Sequence, residues 1–170
     1  RKWLPGFENV MLLDTAAVVG VRETRRIVGD YQLTLEDLAQ GREFEDVIAL
    51  CGYPVDIHSP TDDSGGVGDG YTTANIYQIP YRSLLPAGLD GVLVAGRSLS
   101  ATHEAQGATR VMPPSFAMGE AAGAAAALAV QAGVELRGVS MPELQKMLVR
   151  QGAWLGEHIA DRVASATPAD

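Results

Sequence analysis

The sequence predicts an α/β fold, and three observations carry that prediction. Residues 92–95 are four apolar residues bounded by Gly91 and Gly96, the composition of a strand buried on both faces. A polar loop follows, carrying Arg97, Ser98, Ser100, Thr102, His103, Thr109 and Arg110. A Gly/Ala-rich helix then begins near Pro113, Pro114 and Ser115. Polar groups just past the carboxyl end of a strand are where α/β proteins usually bind ligands, so chemistry is expected in that loop.

The remaining elements read in order. Residues 21–33 mix β-branched and charged side chains around a Gly29-Asp30 turn, which predicts two strands. Thr34, with acidic Glu36 and Asp37 behind it, reads as a helix N-cap, and Gly41 as the stop of a short helix. The apolar spacing over residues 44–50 predicts a further helix. Tyr53, Val55 and Ile57 alternate with polar neighbours, the period of a half-buried strand. Residues 59–70 form a loop by composition, and YTTANIYQIPYRSL returns as a strand whose Pro80 limits it to an edge or an end. After the Gly/Ala helix, Ser140-Met141-Pro142-Glu143 has the pattern of a capping box. Met141, Leu144, Met147 and Leu148 then share one helical face. The last six residues are expected to fray.

Composition excludes several function classes. Thirteen basic against twenty-one acidic residues give a net charge of −8, which argues against a nucleic-acid footprint or an anionic membrane surface. Eleven of the thirteen cations are arginine, the residue that grips carboxylates and phosphates bidentately, so an anionic small molecule is the expected ligand class. Residues 116–130 are nearly all small or apolar, yet the run is shorter than a bilayer span and contains Glu120, so no membrane span is expected. A single cysteine, Cys51, allows no intrachain disulfide; it reads as a small buried residue and fits a reducing, cytoplasmic setting. The chain opens on Arg1 with no apolar leader, so its natural N-terminus is expected to lie upstream.

Motif tests narrow the chemistry. Gly66 and Gly68 lack the third glycine of a dinucleotide fingerprint, because Tyr71 stands there. Asp62, Asp63 and Asp69 lack calcium-loop spacing. No serine sits in a G-x-S-x-G elbow, and His58, His103 and His158 are too scattered for a metal site, so no metal is expected. The start of the Gly/Ala helix offers unpaired N–H groups to an electron-rich atom, and Gly119, Ala122, Gly123 and Ala126 would let a neighbouring element approach closely. On a strand, Arg22 and Arg26 would share one face with Arg25 on the other, so surface ion pairs are their default role. Arg110 sits between the polar loop and the helix start, where it can hold a substrate carboxylate or offset charge on a reduced cofactor. His103 can move a proton, since imidazole titrates near neutrality.

The stretches GVRETRRI, YPVDIH, IPYRSL and VLVAGRSLSATHEAQGATRVMPPSFAMGEAAGAAAALA, taken together and in this order, resemble the C-terminal part of FAD-dependent oxidoreductases, in the branch related to succinate dehydrogenase and fumarate reductase flavoproteins. The resemblance implies an FAD/NAD(P)-binding domain of glutathione-reductase type interrupted by an α+β substrate or cap domain. Residues 1–85 would end the cap, and residues 86–170 would supply the returning strand and helices of the FAD domain. It further implies flavin contacts from Gly96, Arg97, Ser98, Met112, Ser115 and Phe116, with backbone N–H groups facing the N1/O2 edge of the ring. Arg110 would bind a substrate carboxylate, His103 would bind substrate or relay a proton, and Arg82 would line the same cavity. Where the family places an acidic residue against the ribityl chain, this sequence has Arg97.

The resemblance therefore implies hydride transfer between a small anionic substrate and FAD. The pyrophosphate fingerprint is absent from this sequence, so an N-terminal FAD-binding segment is the implied partner, and the chain alone is expected to be inactive without tightly bound FAD. The alternative is a non-catalytic ligand-binding or interaction module on a degenerate flavoprotein scaffold.

Overall fold

The computed structural model describes residues 5–57 and 73–165. Its elements are α1 (Leu35–Gln40), β1 (Val47–Cys51), β2 (Tyr77–Pro80), α2 (His103–Thr109), α3 (Met112–Ala132), α4 (Met141–Arg150) and α5 (Glu157–Ser165), with short 3-10 turns at Tyr81–Leu84, Gly96–Ser98 and Leu136–Gly138. The helix–strand mixture is compatible with an α/β fold. Among the described residues the only sheet is the antiparallel β1–β2 pair, in which Ala49 faces Ile79 and Cys51 faces Tyr77. The expected loop at 59–70, His58 and the final five residues lie outside the described residues.

Local chemistry made α1 as expected. The Thr34 hydroxyl accepts from the Asp37 amide at 3.2 Å and Asp37 Oδ2 accepts from the Thr34 amide at 2.9 Å, so two orphan donors are satisfied reciprocally. Gly41, at φ +59°, closes the helix. α4 also forms where the apolar period placed it, with Leu144 and Leu148 fully buried, but Ser140 makes no side-chain cap.

Several expected elements are different. The helix expected over 44–50 is instead β1: Val47, Ile48 and Ala49 are all buried, and a run apolar at every position fits a two-sided strand as well as a helix. α3 and α4 pack against β1, and the buried Gln145 ties α4 to it by donating to Glu45 O and Val47 O at 2.8 and 3.0 Å. Residues 53–57 form no strand, since their partners are side chains of other segments rather than a neighbouring ladder. The two strands expected in 21–33 reduce to isolated bridges, Gly29 with Pro86 and Leu33 with Ala101. There the chain is threaded between two other segments, joined to one from Asp30 N to Leu85 O at 2.9 Å and from Ala87 N to Val28 O at 2.8 Å, and to the other from Leu33 N to Ser100 O at 3.0 Å and from Thr102 N to Leu33 O at 2.8 Å. Residues 92–95 take no regular secondary structure; Val92 is exposed and Leu93, Val94 and Ala95 are partly buried, with the Val94 amide donating to Leu84 O. They have no ladder partner among the described residues.

The core joins residues from both sides of position 85. Leu33, Leu38, Ile48, Ile79 and Leu84 meet Leu99, Met118, Leu144, Leu148 and Ile159, all 0–1 % exposed. Each such side chain contributes about 1.5–3 kcal/mol through burial. α3 seals this core with Met118, Ala121, Ala125 and Ala129. The Gly119/Gly123 side expected to meet a neighbour is open: a Cβ at either glycine would meet nothing within 4 Å.

Candidate functional site

The expected polar loop is partly a helix. Thr102 caps α2, its hydroxyl accepting from the Ala105 amide at 3.4 Å, and Glu104 lies in the first turn. Hydrogen bonding at its own backbone amide holds the Glu104 carboxyl below its ordinary value, against the opposing effect of burial and with help from the Thr102 hydroxyl. His103 therefore opens a helix, and its Nδ1 lies 2.8 Å from Glu23 Oε2. Glu23 also pairs with Arg26.

At the other end of α2, Arg110 turns inward. Its guanidinium donates to Asp56 O at 2.5 Å and lies 3.6 Å from Asp56 Oδ2, with its side chain 11 % exposed. Arg22 reaches the same carboxylate oxygen at 3.2 Å. Gln106, fully buried between these groups, donates from Nε2 to Arg22 O at 3.5 Å and to Arg97 O at 3.3 Å. Sequence reasoning missed Gln106; a long polar side chain among Ala105, Gly107 and Ala108 was the available signal.

The turn and the long helix meet beside this network. Gly96 has φ +81°, a conformation that favours glycine, and a Cβ there would lie 3.8 Å from Ser115 Oγ. Ser115 itself is committed locally: its amide and its hydroxyl both donate to Val111 O, at 3.3 and 2.9 Å. Val111 provides no side-chain cap, and Pro113 and Pro114 have no N–H. The Val111 and Met112 amides are thus left without an intrahelical acceptor at the mouth of α3. Met112 and Phe116 flank that mouth, 72 % and 71 % exposed. Arg97 extends from the turn and donates to Val21 O at 2.8 Å, while Ser98 O accepts from the Ile27 amide at 3.0 Å.

The structure thus gathers two groups of the expected residues. Gly96, Arg97, Ser98 and Ser115 lie along the contact between the turn and α3, and His103 and Arg110 mark the two ends of α2. Arg82 is not with them. It grips Asp46 bidentately at 2.9 and 3.1 Å, stacks 5.3 Å above the Tyr31 ring, and lines a separate cavity of about 570 Å³ with Arg42 and Arg162. Cys51 is buried as expected, with the Tyr77 hydroxyl 3.1 Å from its Sγ. Among the described residues no helix is long and apolar enough to cross a membrane.

Comparison with known proteins adds one finding. No curated protein and no solved structure matches the chain. A family model described as FAD dependent oxidoreductase matches residues 1–148, most of the sequence. The chain belongs to the FAD dependent oxidoreductase family.

Proposed function

We propose that this chain is the flavin-facing C-terminal portion of an oxidoreductase that moves hydride between a small anionic substrate and FAD, with the cofactor's pyrophosphate held by a segment not contained in these 170 residues. The observation that carries the reading is the seating of the Gly96 turn against Ser115 at the uncapped start of α3. Around it the available groups suit one edge of a flat ring: the first-turn amide of Met112, the positive end of a 21-residue helix, and exposed apolar surface from Met112 and Phe116. When bound, FAD would supply the hydride acceptor.

The chain's own residues would orient and polarise. The Met112 amide would donate to an electron-rich ring atom, and the Gly96 backbone would permit close approach without a Cβ. His103, bonded to Glu23 and half exposed, would exchange a proton with substrate or water. Arg110 would act from below, fixing Asp56 and through it Arg22. Arg82 has no part in this site, because Asp46 and a different cavity hold it. The division into residues 1–85 as cap and 86–170 as FAD-domain return, the glutathione-reductase type and the relation to the succinate dehydrogenase branch belong to the same reading and are supported by the linked motifs.

A second reading is favoured by one observation: Arg97, where related flavoproteins carry a carboxylate, donates to Val21 O. In it the scaffold binds a ligand or partner without catalysis. One experiment separates the two. Expression with the upstream reading frame should yield a protein carrying about one flavin per chain, and the 170-residue chain alone should stay colourless. A longer product that folds and never takes up FAD sinks the first reading.

A further inference from the structure

We infer that the cleft between residues 21–25 and residues 97 and 98 is a binding site for a compact oxyanion, a carboxylate or a phosphate group. The cleft has a volume of about 310 Å³. Arg22, Arg25 and Arg97 line it with a single carboxylate, Glu23, which Arg26 and His103 engage. In a chain of net charge −8 this is a local reversal of sign. Arg25 forms no ion pair or hydrogen bond among the described residues, and Arg97 uses one guanidinium nitrogen on Val21 O. A guanidinium has five N–H donors, so both arginines keep donors for a ligand.

The cleft is built and held. Its two walls come from segments 76 positions apart, joined directly by the bond from Arg97 to Val21 O. Beneath them the buried Gln106 ties both walls through Arg22 O and Arg97 O. Gln106 Oε1 is itself buried with no hydrogen-bond partner among the described residues, so the amide is oriented by the two wall carbonyls. Asp56 holds the outer end of Arg22. Walls fixed in this way lose little freedom when a ligand arrives. The larger cavity near Arg82 offers no such imbalance, since Arg42, Arg82 and Arg162 there face Glu43, Glu45 and Asp46.

The site is read on this chain without flavin, so its failure leaves the flavin reading untouched. The 170-residue protein is titrated in low-salt buffer with succinate, with inorganic pyrophosphate and with chloride at matched ionic strength, by calorimetry and by NMR of the arginine Nε–H signals. Saturable binding of succinate or pyrophosphate over chloride is expected, with Arg25 and Arg97 signals shifting together. Tighter succinate assigns the cleft to a carboxylate, tighter pyrophosphate to a phosphate group. Arg25→Gln and Arg97→Gln should each weaken binding about tenfold, while Arg25→Lys recovers part of it. Arg150→Gln, on the far helix, should bind as the parent does. Both cleft arginines are exposed, and near-UV circular dichroism checks that the variants fold. The proposal is overturned if neither oxyanion outbinds chloride, or if folded Arg25→Gln and Arg97→Gln variants bind with unchanged affinity.

Discussion

Two groups of arginines, each assembled by the fold, differ in how their charges are partnered. Around Tyr31, Arg82 forks onto Asp46 and Arg42 reaches Asp37 at 3.1 Å. Both also lie over the Tyr31 ring, at 5.3 and 5.8 Å. Every cation in that pair has its carboxylate, and each carboxylate is buried. Around residues 21–25 and Arg97, guanidinium groups outnumber carboxylates and face open space. The first arrangement binds segments of the chain to one another; the second is left with donors to give. Arginine count alone says nothing about which is which, and the ledger of partners does.

That contrast breaks first at Asp46. Asp46→Ala removes the acceptor of the Arg82 fork and of the Arg82 backbone amide, and should lower stability by about 2–4 kcal/mol in urea denaturation. A loss below about 0.5 kcal/mol, the size of an ordinary surface change, would erase the difference between the clusters.

Proton titration gives the next largest effect, with opposite signs at the two ends of the pH scale. Burial pushes the Asp37 carboxyl up, but the Thr34 amide and hydroxyl, the Tyr31 hydroxyl and Arg42 together hold it below its ordinary value. Its contribution is present at neutral pH and lost as pH falls below about 4 through the folded value. The Tyr31 hydroxyl is pushed up to about 12, first by burial and then by Asp37. Its contribution is intact below about pH 10 and lost as pH rises toward 12. The urea midpoint should therefore fall at both extremes. Burial also raises the Tyr77 and Tyr81 hydroxyls, so Tyr31→Phe should reduce the alkaline fall without removing it and leave an acid one, and an unchanged alkaline limb would show that Tyr31 is not among its sources.

Arg110 shares Asp56 with Arg22. Its side chain is nearly buried and bonded to Asp56, so Arg110→Gln should cost about 1–2 kcal/mol in the same assay. A cost near zero would move Arg110 into the open, ligand-facing class. The smallest change is expected in the cleft, where Arg25→Gln should leave the midpoint within about 0.5 kcal/mol of the parent. A large loss there would mean that Arg25 is structural and the contrast false.

How much was legible in the sequence follows the range of each interaction. α1 was readable because Thr34, Asp37 and Gly41 carry its start and stop within eight positions. α4 was readable from its 3.6-residue period, although the Ser140 cap was not made. β1 was misread because Val47, Ile48 and Ala49 are apolar at every position, which erases the period that separates helix from strand. α2 is hidden behind hydroxyls that suggest a loop, one of which, Thr102, is its cap. The threading of residues 27–33 between two distant segments, and the meeting of Arg22 with Arg97 over Gln106, depend on contacts no local pattern encodes. The strand grammar that set Arg22 and Arg25 on opposite faces failed for the same reason, since no ladder forms there and both line one cleft. The motif set pointing to a flavin oxidoreductase was legible throughout, and the family match over residues 1–148 agrees with it.

The Tyr77–Cys51 contact has a use of its own. Cys51 is the sole thiol of the chain and lies 7 % exposed under the Tyr77 hydroxyl, which donates to Tyr53 O at 2.8 Å and lies 3.3 Å from Ala108 O. That hydroxyl thus clasps β1, the 53–57 segment and α2 at one point. A thiol reagent can reach the sulfur only after this clasp opens, so the rate of single-site labelling is a clock for separation of the two strands. Any ligand that closes the scaffold should slow that clock, and a bare chain in denaturant should run it fast.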